Sequence, residues 1–311
     1  MEFFSHQTSY PFMATRKVWY TLSAVLMVVA LASFFTRGLN LTIDFTGGVS
    51  AEARFQHAAN VDEARERLSA AGFREPQVQN FGSSRDIAIR LPPDPKLTAT
   101  ELRSRLEAVL TGIEPSAQVV QLAVVGPQVG SELKVSAMWA LFFTLLLIFL
   151  YIAVRFHTWR LSLGAILAVM HDPILVIGFF SLTQLPFDLA VVAAILAVVG
   201  YSLNDTVVVF DRIRERFETN RRSPPDVVLD QSINQTLSRT IMTKVVTSIV
   251  VVALLFLGGP VLKGFSAALL IGIIAGTYSS IYISSAIALD FGLTAEHVFP
   301  TVKKTAFDQL P

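Results

Sequence analysis

The chain has 311 residues, of which 52% are hydrophobic and only 16% charged, and its mean hydropathy is +0.55. Ordinary soluble domains carry roughly 25% charge, so the apolar excess calls for lipid as well as a protein core. A net charge of +1 leaves no global basic field for nucleic acid, and the lack of cysteine excludes disulfides and thiolate metal sites.

A membrane-spanning helix needs roughly 20 mostly apolar residues. Six stretches qualify: 18–36, 135–154, 161–182, 188–210, 241–258 and 264–289. Trp19, Tyr20, Trp139, Tyr151 and Trp159 fall near their ends, where aromatic side chains favour the boundary between water and lipid. The first stretch is long enough to span and shows no small-residue cleavage pattern, so it reads as an anchor rather than a leader. The chain thus divides into 1–36, a soluble segment 37–134, a five-helix region 135–290 and a tail 291–311.

The segment 37–134 has the pattern of a folded domain. Val49, Ala51, Ala53 and Phe55 alternate with polar residues, as in a half-buried strand. Asn60 and Glu63 cap a helix whose apolar stripe is Val61, Ala64, Leu68 and Ala71, and Gly72 ends it. Strands follow near 76–81 and 86–91 across the Gly82-Ser83-Ser84 turn. Thr98 and Glu101 cap a second helix lined by Leu102, Leu106, Val109 and Leu110 and ended by Gly112, before a last strand near 117–125. The order β-α-β-β-α-β predicts a ferredoxin-like α+β sandwich.

Lys and Arg in the short loops set orientation. Arg16 and Lys17, Arg155 and Arg160, Arg212 to Arg222, and Lys303 and Lys304 all fall on one side, whereas 183–187 has no basic residue and 258–263 only Lys263. Both termini are therefore expected in the cytoplasm and 37–134 outside it. The cytoplasmic loop 211–239 breaks at Pro224-Pro225, and Val227, Val228, Ile233 and Leu237 predict an amphipathic helix along the membrane surface over 226–239.

Ionisable groups at membrane depth cost a few kcal/mol or more, so they face protein or water and mark pathways. Asn204-Asp205 lies in the fourth span, with Asp205 roughly 10 Å inside the helix end at 1.5 Å per residue. Tyr201 and Ser202 lie one turn earlier on the same side. His171-Asp172-Pro173 lies in the third span, with Asp172 about 18 Å along the axis from Arg160, and Pro173 can loosen that turn. Arg239 stands at the mouth of the fifth span above a stripe of Thr240, Thr243 and Thr247. Its guanidinium can either snorkel to the headgroups or reach in to Asp205, while Lys244 is expected to snorkel to the headgroups. A hydrogen bond between helices is the structural alternative for either aspartate. Gly272 and Gly276 have the GxxxG spacing of a packing face, and Asp44-Phe45-Thr46-Gly47-Gly48 predicts a tight turn into the first strand. There is no Walker A run, HExxH pair or GxSxG elbow, so the chain is not expected to be an enzyme and no cofactor is expected.

These motifs together resemble the SecF branch of the SecD/SecF protein-export family, within the RND superfamily. The matching runs are Asp44 to Gly48, His171-Asp172, Val199 to Glu215 through the Asn204-Asp205 pair, Gln235 to Thr240, Gly258 to Ser266, and Ile271 to Tyr282. They keep the family's order from about residue 40 to 290. The resemblance implies a multi-pass protein of the bacterial inner membrane with its sandwich domain in the periplasm. It implies a subunit that works with SecD to assist the SecYEG channel using the proton-motive force, with YajC and, indirectly, SecA as associates and an exported polypeptide as client. Asp205 would then accept the proton, with Arg239 as its cationic partner and Asp172, His171 and Asn204 in support. Two alternatives stand beside this: a passive scaffold for SecD and the channel, and an autonomous RND-type exporter of small molecules.

Overall fold

The computed structural model describes residues 8–94, 97–156 and 158–299. Lys303 and Lys304 lie outside the described residues. Among the described residues, six helices are long and apolar enough to cross a membrane: Met13–Arg37, Pro127–Arg155, Trp159–Thr183, Leu189–Thr219, Pro225–Leu257 and Leu262–Asp290. The first is α1 (Arg16–Arg37) preceded by one tight turn. The next four are α5 (Pro127–Arg155), α6 (Trp159–Thr183), α7 (Leu189–Thr219) and α8 (Pro225–Leu257). The last is built from α9 (Gly259–Tyr278), a π-helical turn at Ser279–Ile283 and α10 (Ser284–Asp290). A short α11 (Ala295–Val298) follows. At least half of α6, α7 and the last span is buried, whereas α1, α5 and α8 keep most of their surface facing out.

Between α1 and α5 lies the soluble domain. It comprises α2 (Ile43–Thr46), β1 (Gly48–Arg54), α3 (Val61–Ala70), β2 (Gln77–Phe81), β3 (Ser83–Leu91), α4 (Ala99–Thr111) and β4 (Gln118–Val125). The strands form one antiparallel sheet in the order β2-β3-β1-β4. This is the ferredoxin-like order that the sequence pattern predicts. Both caps form: Asn60 accepts from the amides of Asp62 and Glu63, and Thr98 and Glu101 make a reciprocal capping box. Ala51, Ala53, Ile87 and Ile89 from the strands meet Leu68, Leu106 and Leu110 from the helices in the core.

Two features differ from the sequence reading. Residues 226–239 are the first turns of α8, not a separate surface helix, because nothing between Pro225 and Leu257 breaks the helix. Val228, Leu229 and Ile233 bury against Ile213 and Phe217 of α7, so α7 and α8 form a packed hairpin beyond the apolar spans and the loop shrinks to 220–224. Arg212 and Arg216 both donate to Gln235 Oε1 across it, at 2.6 and 3.1 Å. Pro173 also leaves α6 unbroken.

The expected tight turn at Asp44–Gly48 is a one-turn helix ended by two glycines, and it joins the sheet to the bundle. Gly47 and Gly48 have φ of +70° and +126°, where side chains are strained. A Cβ on Gly47 would sit 2.7 Å from Pro127 Cα, and one on Gly48 2.6 Å from Leu91 O. Gly130 on α5 faces Gly47 just as closely, a Cβ there lying 2.7 Å from the Gly47 amide nitrogen. Asp44 Oδ2 accepts the Leu189 amide at 3.1 Å and so caps α7 from outside. Asp188 caps the same helix through the Val191 amide at 2.8 Å. Burial pushes the Asp188 carboxyl above the usual range, and the nearby Asp44 adds to that. Arg90 of β3 reaches Asn40 at 3.4 Å, while Asn40 donates to Gln184 O at 2.8 Å. One short segment thus ties the start of α7, the start of α5 and two strands together.

Candidate proton-transfer site

Two apolar clusters fill the bundle. One contains Val176, Phe180, Phe187 and Val191 near the sheet domain, and the other Phe156, Phe210, Ile213 and Phe217 at the far end. The polar side chains sit between them on α6, α7, α8 and the last span.

Asp205 on α7 is buried, and the Lys244 ammonium on α8 lies 2.7 Å from its Oδ2; their side chains are 8% and 6% exposed. The two meet as an ion pair off the hydrogen-bonding direction, so neither atom has an aligned hydrogen bond among the described residues. Lys244 also lies 5.7 Å from the Tyr201 ring centroid. At an effective dielectric near 20, opposite charges at this separation attract by about 6 kcal/mol, and desolvating each ion costs several kcal/mol. The attraction and the desolvation cost are therefore of similar size.

This arrangement corrects the expected pairing. Arg239 is exposed and contributes to Asp205 only as a nearby charge. Lys244 does not snorkel away; it is the partner. The reason is helical phase. Ser232, Thr236, Thr240 and Lys244 follow one another at four-residue spacing, and all are buried along the side of α8 that meets α7. Thr243 falls on the exposed side. Asn204 is exposed beside the buried Asp205, and Tyr201 is 46% exposed, so the inward polar face of α7 is Ser202, Asp205 and Thr206.

Asp172 has no exposed surface and lies in a second cluster. Its Oδ1 meets His171 Nδ1 at 2.9 Å, and its Oδ2 accepts from Ser279 at 3.0 Å and, closely, from Ser202. His171 Nε2 is 2.6 Å from the Tyr278 hydroxyl. Gly276 makes room: a Cβ there would lie 3.2 Å from both Asp172 Oδ2 and Ser202 Cβ, while one on Gly272 would collide with Val198. The two glycines therefore set the close approach of the last span to α7. Sequence reasoning did not foresee Lys244, Ser279 or Tyr278 at these sites. The four-residue ladder ending at Lys244 was the available signal for the first.

Comparison with known proteins places this architecture. Residues 105–294 match the profile of the protein export membrane protein SecD/SecF C-terminal region, and residues 32–59 match the SecD/SecF GG motif, which spans Gly47 and Gly48. The chain is 45% identical to the protein translocase subunit SecF of Haemophilus influenzae, over 96% of this chain and 91% of that one. It is 41% identical to SecF of Escherichia coli O157:H7, over 96% and 94%. The crystal structure of SecDF from Thermus thermophilus, a translocon-associated membrane protein, matches with a TM-score of 0.83 and 40% identity, covering 91% of this chain and 39% of that longer chain. The chain belongs to the SecD/SecF family of protein export membrane proteins.

Proposed function

We propose that this chain is the SecF-type half of a proton-driven complex that assists protein translocation across the bacterial inner membrane. A role in translocation follows from the family and from relatives named as translocase subunits. The observation that carries the proton-driven part is the buried Asp205–Lys244 pair at membrane depth. Binding a proton on Asp205 neutralises the carboxylate and frees the ammonium. Each charge that crosses yields about 2.3 kcal/mol per 100 mV, comparable to the small net strength of the pair. Arg239 stands on the exposed side of α8 near Lys244 as a second cation, and Asp172 and His171 hold α6 to α7 and the last span. Because Asp44 caps α7 and Gly47 locks against α5, a shift of α7 is transmitted to the sheet domain. No covalent chemistry is assigned to the chain.

Partner helices belong to this reading. Asn204 presents an amide on the outer face of α7 at membrane depth, and such groups find a protein neighbour rather than lipid. In the related SecDF chain the matched region is 39% of the length, which leaves room for a SecD-type half to cover that face. The complex would stand beside the SecYEG channel, with YajC as an associate and SecA acting on the client earlier. A strain lacking both subunits should regain gradient-dependent export with this chain and SecD together, and not with this chain alone. Full export by this chain alone would make it an autonomous transporter.

The basic-residue asymmetry puts the sheet domain in the periplasm and both termini in the cytoplasm. Single cysteines in this cysteine-free chain test it. Ser84→Cys, exposed after the β2–β3 turn, should react with an impermeant maleimide on intact spheroplasts, and Arg222→Cys, exposed in the α7–α8 loop, should not. The reverse labelling would invert the topology and the direction of transport.

A further inference from the structure

We propose that His171 and Asp172 form a second protonation site in the membrane domain, separate from Asp205, which takes its proton on the imidazole by way of Tyr278. The inference uses the proton-driven reading for its purpose in transport; the titration itself does not depend on Asp205.

The charge balance of the cluster carries it. Asp172 is fully buried and both its oxygens are engaged, Oδ1 by His171 and Oδ2 by Ser202 and Ser279. Three side chains thus converge on one carboxylate. No Lys or Arg pairs with Asp172 among the described residues. The groups that meet it come from α6, α7 and the π-helical turn, and apart from His171 they are serine hydroxyls. Among the described residues that meet it, His171 is thus the one partner able to carry a compensating positive charge. With a neutral imidazole the cluster carries a buried negative charge; with an imidazolium it carries none. Histidine is the side chain whose ordinary range makes that change accessible near neutral pH.

One side chain links the buried dyad to the space outside it. Among the groups of the cluster, Tyr278 is the half-buried one that reaches an apolar groove of about 810 Å³ between α1, α8 and α9, whose wall also includes Trp19 and Lys244. Its hydroxyl is 2.6 Å from His171 Nε2, with Ser23 of α1 also in reach. A proton arriving at the Tyr278 oxygen lets the tyrosine pass its own hydroxyl proton to Nε2. The product is an imidazolium that donates through Nδ1 to Asp172 and through Nε2 to Tyr278. No electron pair is lost and the tyrosine is unchanged. The turn that begins at Ser279 is π-helical, a rare geometry often found at functional sites. Across that boundary two successive residues address the dyad from the same strand of chain, Tyr278 at His171 and Ser279 at Asp172.

The two membrane sites respond to a proton with opposite charge. Protonating the dyad removes a negative charge, whereas protonating Asp205 leaves Lys244 as an unpaired positive one. Ser202 and Asp205, three residues apart on α7, belong one to each site. Loss of a proton by one and gain by the other therefore cancel, which lets a proton pass through the bundle without stranding a net charge in it.

Solid-state NMR of the chain labelled with ¹⁵N-histidine, in lipid bilayers with unlabelled SecD, reads the imidazole directly. The chain has five histidines, and the His171 signals are those lost in His171→Gln. Wild type should show His171 passing from one protonated ring nitrogen to two as pH falls through about 9 to 5. Asp172→Asn should move that step at least about one pH unit lower, because the anion that holds the imidazolium is gone. Asp205→Asn should leave a step in place. A wild-type ring that stays in one protonation state across the range overturns the proposal, whatever the variants do. An unchanged midpoint in a folded Asp172→Asn protein overturns it too. Disappearance of the step in Asp205→Asn would merge the two sites into one and overturn their separateness, while leaving Asp205 as the proton carrier.

Discussion

Asp205→Asn should give a protein that inserts, assembles with SecD and resists proteolysis like wild type, yet exports no faster with a proton gradient than without one. Asparagine keeps the size and much of the hydrogen bonding of the side chain but cannot cycle charge. The Lys244 left behind does not have to stay as a stranded ion. It lines the groove between α1 and α8, and its flexible stem lets the ammonium swing out of the site. Assembly is therefore spared while the response to the gradient is lost. Asp205→Glu keeps an acid and should retain part of the response. A structural role predicts the reverse order, with Asn mild, Glu harmful and every loss following protein abundance. Export rates at matched abundance, with and without an uncoupler, separate the two orders.

Lys244→Met should be as damaging to the gradient response, by the opposite route. Asp205 then loses the cation at 2.7 Å, an attraction of about 6 kcal/mol at an effective dielectric near 20. A buried carboxylate without a partner is held as the neutral acid, so the site is locked in its protonated state rather than emptied. Removing one member of a buried ion pair costs about 3–5 kcal/mol where the remaining charge has no escape; protonation of Asp205 provides one and reduces that loss. Asp205→Asn with Lys244→Met should then be at least as stable as Lys244→Met alone and remain without a gradient response. Lys244→Arg keeps the cation and should keep part of it. Thermal unfolding in detergent checks the stability order. If Lys244→Met exports at the wild-type rate with normal gradient dependence, the pair has no part in the cycle and Arg239 regains its claim as the functional cation.

Much of this architecture was legible because bilayers and sheets impose simple periods. Six apolar stretches of sufficient length gave the spans. The alternation at Val49 to Phe55 and the caps at Asn60 and Thr98 gave the sandwich, since each cap is a local bond between residues two or three apart. What the sequence concealed depends on which side of a helix faces which neighbour. Arg239 looked like the partner of Asp205 because it stands at the mouth of the span. The contact surface of α8 instead follows Ser232, Thr236, Thr240 and Lys244, a phase that only the crossing of α7 and α8 fixes. Asn204 looked like part of the inner site because it adjoins Asp205, yet neighbours along a helix differ by about 100° in direction and it points out. The hairpin of α7 and α8 was missed for a related reason. Charge at 211–222 and Pro224-Pro225 suggested a loop, but hydrogen bonds from Arg212 and Arg216 to Gln235, beside the packed Ile213, Phe217, Val228 and Ile233, hold the two helices together beyond the apolar spans.

A proton-driven complex requires that Asp205 move protons. Proteoliposomes containing this chain and SecD, with a pH-sensitive dye inside and an inside-negative potassium diffusion potential, measure that movement without reference to any client protein. Wild type should acidify the lumen faster than empty vesicles, and an equally reconstituted Asp205→Asn complex should match the empty vesicles. Equal acidification by wild type and Asp205→Asn would contradict the proton-carrier role and leave a scaffold for the translocation machinery as the reading of this fold.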